Sequence, residues 1–223
     1  GGHLRASAGE GVKNPTFTEL FGFYPGSFIG NPDLNPEKSM SWEVGYDQTI
    51  GNFAGSITYF HADLEDEIYT AYTATFASTP ANRAADSERS GVEVAARWDV
   101  TEGFVLNGQV TQLDSQSNDG TDEIRVPDMT ASLAASWVPT GTDMRFGAAL
   151  DYVGEQDDFN FGTFPSTRET LDAYVLASLT AEFPVTDRLA ITLRGENLFD
   201  EEVTDVFGYH GTGAGAFIGL KLR

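Results

Sequence analysis

Eight consecutive residues set the terms for this chain. Met40, Trp42, Val44 and Tyr46 point one way, and Ser41, Glu43, Gly45 and Asp47 the other. That two-residue period is the signature of a β-strand with one apolar and one polar face. The stretch just before it, Gly30-Asn31-Pro32-Asp33-Leu34-Asn35-Pro36-Glu37-Lys38-Ser39, cannot be regular structure. Each proline removes a backbone donor and forces the residue before it, Asn31 or Asn35, out of helical geometry. A rigid loop thus delivers the chain into a two-faced strand.

The alternation recurs. Val92, Val94, Ala96 and Trp98 oppose Glu93, Ala95, Arg97 and Asp99; Leu189, Ile191 and Leu193 oppose Ala190, Thr192 and Arg194. With turn signals between runs, the sequence predicts about ten strands, at 4–10, 38–49, 53–69, 87–99, 104–115, 126–138, 144–155, 170–185, 189–199 and 215–223. Their connections alternate long and short along the whole chain. Outer-membrane barrels show this because periplasmic turns are tight and outer loops are long. A soluble sandwich has no need of it. In a barrel, an arginine on the lipid face near the midplane costs about 2–4 kcal/mol, so Arg97 and Arg194 are assigned to the lumen. Trp98, Trp137 and Phe183 stand just before short turns, and Phe53, Phe104 and Phe146 just after them. That places six aromatics at one rim, as in a membrane-interface girdle.

Charge and missing residue types narrow the function. Thirty-four acidic against 13 basic side chains give a net charge of -21, which argues against nucleic acid. There is no cysteine, so disulfides and thiolate metal sites are excluded. No apolar run is long enough for a membrane-spanning helix, a condition that barrel strands also meet. The amino terminus lacks the pattern of a signal peptide, from which the expectation is a chain that starts partway through a longer protein.

Two motifs carry a resemblance. Pro15, Glu19, Leu20, Gly30, Asn31, Pro32, Leu34, Pro36, Glu37, Ser39, Glu43 and Gly45 match a segment that leads from an outer loop into a barrel strand in the TonB-dependent receptors of bacterial outer membranes. Glu196-Asn197-Leu198-Phe199-Asp200-Glu201-Glu202 resembles the family's segment before its last loop, with Val203 where a tyrosine usually stands. The resemblance implies an all-β fold: an antiparallel up-and-down transmembrane barrel segment of about ten strands, part of a 22-stranded barrel. Residues 1–223 would form the carboxyl-terminal part of that barrel, without the plug domain and the TonB box. It further implies the outer membrane of a Gram-negative bacterium, and active import of a large scarce solute energised by TonB through the missing amino-terminal part. That solute is most often a ferric siderophore, alternatively cobalamin, haem or an oligosaccharide. Lipid and lipopolysaccharide would surround the barrel, and no cofactor is implied. Family members usually end on an aromatic residue; this chain ends on Arg223, so one further aromatic residue is expected after it.

The candidate site residues follow from that reading. The first long loop carries Phe17, Leu20, Phe21, Phe23, Tyr24 and Phe28. Of these, Phe21, Tyr24 and Phe28, together with the lumenal Arg97 and Arg194, are assigned to substrate binding. Acidic residues crowd the long connections and read as a solvated outer face, since no EF-hand spacing occurs among them. His3, His61 and His210 are scattered and form no metal set, and no nucleophile elbow or phosphate loop is present, so no catalytic residue is assigned. Two rivals remain at this point: a soluble or surface-displayed acidic β-sandwich that binds a partner, and a small passive outer-membrane pore.

Overall fold

The computed structural model describes residues 1–22, 24, 26–117 and 119–222. Phe23, one of the loop aromatics, and Arg223, on which the chain-end expectation rests, lie outside the described residues.

The chain forms β1 (Gly2–Lys13), a short α1 (Phe17–Phe21), β2 (Glu37–Ile50), β3 (Phe53–Glu65), β4 (Ile68–Tyr72), β5 (Ser78–Asn82), β6 (Ser87–Thr101) and β7 (Phe104–Gln116). It continues with β8 (Met129–Trp137), β9 (Arg145–Val153), β10 (Gln156–Asn160), β11 (Thr167–Leu171), β12 (Tyr174–Thr186), β13 (Leu189–Glu196) and β14 (Gly215–Leu222). Ten of these make one antiparallel sheet in the order β1-β2-β3-β6-β7-β8-β9-β12-β13-β14. Each strand lies beside its predecessor in the chain, so the sheet is an up-and-down meander that ends in two open edges. The remaining four strands form two hairpins, β4-β5 and β10-β11, within the long connections.

These hairpins correct the sequence reading. The strand expected over 53–69 stops at Glu65, where Asp66 takes a φ of 56°, and the chain restarts as β4. The strand expected from 126 begins only at Met129, because Arg125 has a φ of 60° and Pro127 has no donor for a ladder. Likewise β13 ends at Glu196, since Asn197 turns left-handed with a φ of 46°. Turn chemistry outvoted β propensity at all three places.

Register fixes the faces. Across the sheet, Trp42 opposes His61, Val44 opposes Tyr59, Ile57 opposes Val94 and Val94 opposes Val110. Farther along, Leu133 opposes Leu150, Leu193 opposes Ile218 and Ile191 opposes Leu220. Directly opposed residues share a face, so Trp42, Val44, Val94, Leu133, Leu150, Leu193 and Leu220 lie on one apolar face. Glu43, Arg97, Ser132, Thr192 and Arg194 lie on the other. The apolar face has no layer packed on it: Leu133 is 52 % exposed and Leu150 42 % exposed. A sandwich would bury these side chains in a dry core between two sheets. The short-turn aromatics pair as expected, Phe53 with Trp98 and Phe104 with Trp137, while the Phe146 ring lies 5.4 Å from Trp137 and 5.7 Å from Phe183. What core exists sits mostly under the long loops, where Leu34, Ala77, Leu171 and Val203 are buried.

Candidate functional site

The five long connections all leave the sheet at the end opposite the short turns, and hydrogen bonds join them into two units. The first unit unites the β1-β2 connection with the β4-β5 hairpin. Thr16 caps α1: its hydroxyl accepts from the Glu19 N–H, and the Glu19 carboxylate accepts from the Thr16 N–H at 2.6 Å. The Thr16 N–H and the Thr16 hydroxyl both donate to the Glu19 carboxylate and hold it below its ordinary range. The carbonyl of Glu19 accepts from the Asn31 N–H at 2.8 Å, which draws the helix onto the Gly-Asn-Pro segment. Gly30 is obligatory there, because a Cβ on it would lie 2.3 Å from the Gly22 nitrogen and 2.4 Å from the Phe21 carbonyl carbon.

The same segment then grips the hairpin. The Asn31 amide donates to the Pro80 carbonyl at 3.1 Å, and the Asn35 N–H donates to the Asn82 side chain at 2.8 Å. Asn82 in turn donates to the carbonyls of Asn35 and Asp66. Glu37 accepts from the Ile68 N–H at 2.8 Å and pairs with Lys13 at 2.7 Å. The motif residues that look like a loop signature are thus the fastening between two outer loops.

The second unit centres on Asp158, which is fully buried. One oxygen accepts from Arg125 Nε at 2.9 Å and from the Phe159 N–H at 2.8 Å; the other accepts from the Phe207 N–H at 2.8 Å. One carboxylate therefore ties together the β7-β8, β9-β12 and β13-β14 connections. Burial pushes its pKa up, but the bonds from Phe207, Arg125 and Phe159 outweigh that and leave it below the ordinary aspartate range. Asp157 beside it is lowered by the Arg168 guanidinium at 2.5 Å and the Thr170 hydroxyl at 2.8 Å. Arg168 also donates to the Asp122 carbonyl at 2.7 Å. The Glu-Asn-Leu-Phe-Asp motif closes the unit: Asn197 donates to the carbonyls of Glu201 and Thr212, and Asp200 accepts from the Ala214 N–H.

The assigned binding residues separate. Phe21 ends α1, exposed and stacked 6.3 Å from Phe17; Tyr24 is exposed, and Phe28 bridges in parallel to Ser78. Arg97 stands near the short-turn end of β6, paired with Asp99 at 2.7 Å. Arg194 stands near the loop end of β13, 3.2 Å from Glu196 and 4.7 Å from the Phe217 ring centre. Five strand spacings of roughly 4.8 Å put about 24 Å of sheet between the two arginines. Each pairs with an acid two residues along its own strand. On the same polar face Arg5, to which the sequence drew no attention, reaches Glu43 at 3.0 Å and Asp47 at 3.3 Å across Gly45. A Cβ at Gly45 would lie 2.8 Å from the Arg5 guanidinium carbon, so this glycine makes room for the bridge.

The comparisons fit this geometry. Residues 2–198 match the family model described as TonB dependent receptor-like, beta-barrel. The vitamin B12 transporter BtuB of Vibrio vulnificus is 32 % identical over 219 residues, which cover 96 % of this chain and 32 % of that protein. The siderophore receptor PirA from Acinetobacter baumannii superimposes with a TM-score of 0.81 at 18 % identity, over 99 % of this chain and 39 % of that one. The ferripyoverdine receptor of the Pseudomonas aeruginosa outer membrane gives 0.79 at 16 % identity, over 99 % and 31 %. The chain therefore spans about a third of the length of the curated relative it matches. An unclosed ten-stranded meander, one face apolar and uncovered, the other polar, with long loops joined at one end, is the wall of such a barrel. The chain belongs to the TonB-dependent receptors of the Gram-negative outer membrane.

Proposed function

We propose that the full-length protein imports a large, scarce solute actively across the outer membrane, and that this chain is the carboxyl-terminal part of its barrel. TonB would supply the energy through an amino-terminal plug and TonB box. The observation that carries the reading is the joined outer loops. Only at that rim are the connections long enough to reach a solute, and there they are fastened to one another and not left as separate arms. The wall below them supplies a polar lumen surface and an apolar face for lipid and lipopolysaccharide. Phe21, Tyr24 and Phe28 would meet the solute first; Arg97 and Arg194 would line the lumen at different heights.

A ferric siderophore is the solute we propose, in keeping with the siderophore receptors of the same fold. Cobalamin is the second reading, favoured by the 32 % identity to a vitamin B12 transporter. The test is uptake by cells that express the full-length protein in place of their own receptors, given radiolabelled ferric siderophores or labelled cobalamin, with and without TonB. Uptake that needs both the receptor and TonB is expected. Equal entry without TonB would reduce the protein to a passive pore.

A further inference from the structure

Leu198, in the Glu-Asn-Leu-Phe-Asp motif, turns away from the loop fastenings and onto the sheet. Asn197 before it reverses the chain with its left-handed φ of 46°, and the Leu198 N–H donates to the Ala177 carbonyl at 3.0 Å. The side chain is thereby laid over Gly195, where a Cβ would lie 2.7 Å from Leu198 Cδ2. Gly195 opposes Leu179 and follows Leu193 by two residues, so Leu198 rests on the apolar face and is itself exposed there.

Register makes the surface beside it concave. Gly195 opposes Ala216, Ala135 opposes Ala148, and Ala181 lies between Phe146 and Leu193, a gap in a row of large side chains. The Trp137 and Phe146 rings, 5.4 Å apart, flank this floor toward the short turns, and Leu198 closes it toward the long loops. The hollow measures about 620 Å³, and its lining is almost wholly apolar.

Position names the occupant. In a barrel of this family the outward apolar face meets membrane, so lipid fills a hollow in it. Trp137 and Phe146 belong to the girdle beside the short turns, which face the periplasm. The leaflet on that side is made of phospholipid, lipopolysaccharide being confined to the outer one. Resting on the reading of this face as the membrane wall, we propose that the hollow is a lipid site that retains one acyl chain of a periplasmic-leaflet phospholipid. The chain enters through the gap at Ala181 and ends against Leu198.

The full-length receptor would be refolded into phosphatidylethanolamine–phosphatidylglycerol vesicles holding a trace of phosphatidylethanolamine with a photoreactive diazirine in its acyl chain. After irradiation, labelled residues would be read by mass spectrometry. Labelling at Leu179, Leu193 and Leu198 should exceed that at Val44 and Ile57, exposed on the same face outside the hollow, by at least about fivefold, because a chain in a concave site is contacted on several sides. Ala181→Phe should abolish the excess, and Leu198→Ala should reduce it. Resistance to SDS without boiling would certify that each variant is assembled; if one is not, the wild-type pattern alone decides. Even labelling along the apolar face would mean ordinary boundary lipid and overturn the site. A larger excess from a lipid A probe with the same diazirine would overturn the phospholipid assignment. Labelling of the polar face, at Thr192 for example, in place of the apolar one would overturn the wall reading itself.

Discussion

Asp158 shows how much a single side chain can decide. In the sequence it is one acid among many beside a long connection; in the structure it is buried and receives three hydrogen bonds from three loops. Asp158→Asn keeps the shape but turns an acceptor into a donor, and hydrogen bonds to a charged group contribute about 1.5–3 kcal/mol. Because Arg125 is half exposed, the expected loss is at the lower end. Hydrogen exchange should quicken in 117–128, 154–173 and 197–214 while the sheet amides stay protected. The pH dependence follows from the direction of the shifts. Asp157 and Asp158 both have folded pKa values below the ordinary one, so their contribution is complete above the unfolded value of about 3.9 and is lost as pH falls through the folded value. Pepsin should therefore nick 154–173 progressively faster, relative to an unstructured peptide, as pH is lowered below the ordinary aspartate range. Gly30→Ala tests the other unit: the methyl would meet backbone and not a movable side-chain end, so α1 must shift. Faster exchange at Asn31 and Ile29 is expected, with no change at β8 or β9.

At the level of elements, the first long connection and the β4-β5 hairpin behave as one piece, because Asn31, Asn35 and Asn82 bond across them. Deleting 17–28 should sharply weaken solute binding in the full-length protein while the barrel still assembles, as judged by its resistance to SDS without boiling. Undiminished binding by an assembled deletion would remove this loop from the site. The deletion should also loosen the hairpin, since the Ser78 N–H and hydroxyl both donate to the Ser27 carbonyl inside the deleted segment. Asn82→Ala should reproduce that loosening alone, separating the fastening from the aromatic contacts.

For the whole molecule the two faces decide the solvent. Leu133→Arg would place a charge on the apolar face in mid-strand, at a cost of about 2–4 kcal/mol in a membrane. Ser132→Arg, one residue away, turns to the polar face and should cost far less. Refolding the full-length protein into vesicles and titrating with denaturant would read the difference; equal costs would mean that neither face meets lipid.

What the sequence determined by itself was the local period. Met40 to Asp47 could only be a two-faced strand, and the alternation of connection lengths together with the rim aromatics favoured an up-and-down meander over a sandwich; that the apolar face carries no second layer was decided by the tertiary structure. Face assignment needed only register, and register follows from the pattern, because a one-residue slip would turn Trp42 and Val94 to the wrong side. The fastening of the loops was not legible. Asn82, Arg125 and Asp158 are ordinary polar residues in ordinary polar stretches, and their partners lie up to 49 residues away. Their roles arise only when the meander brings the ends of non-adjacent strands side by side. Arg97 and Arg194 are the converse case: the sequence put them on the polar face of strands five apart in the meander, and the structure added that each is held by an acid on its own strand.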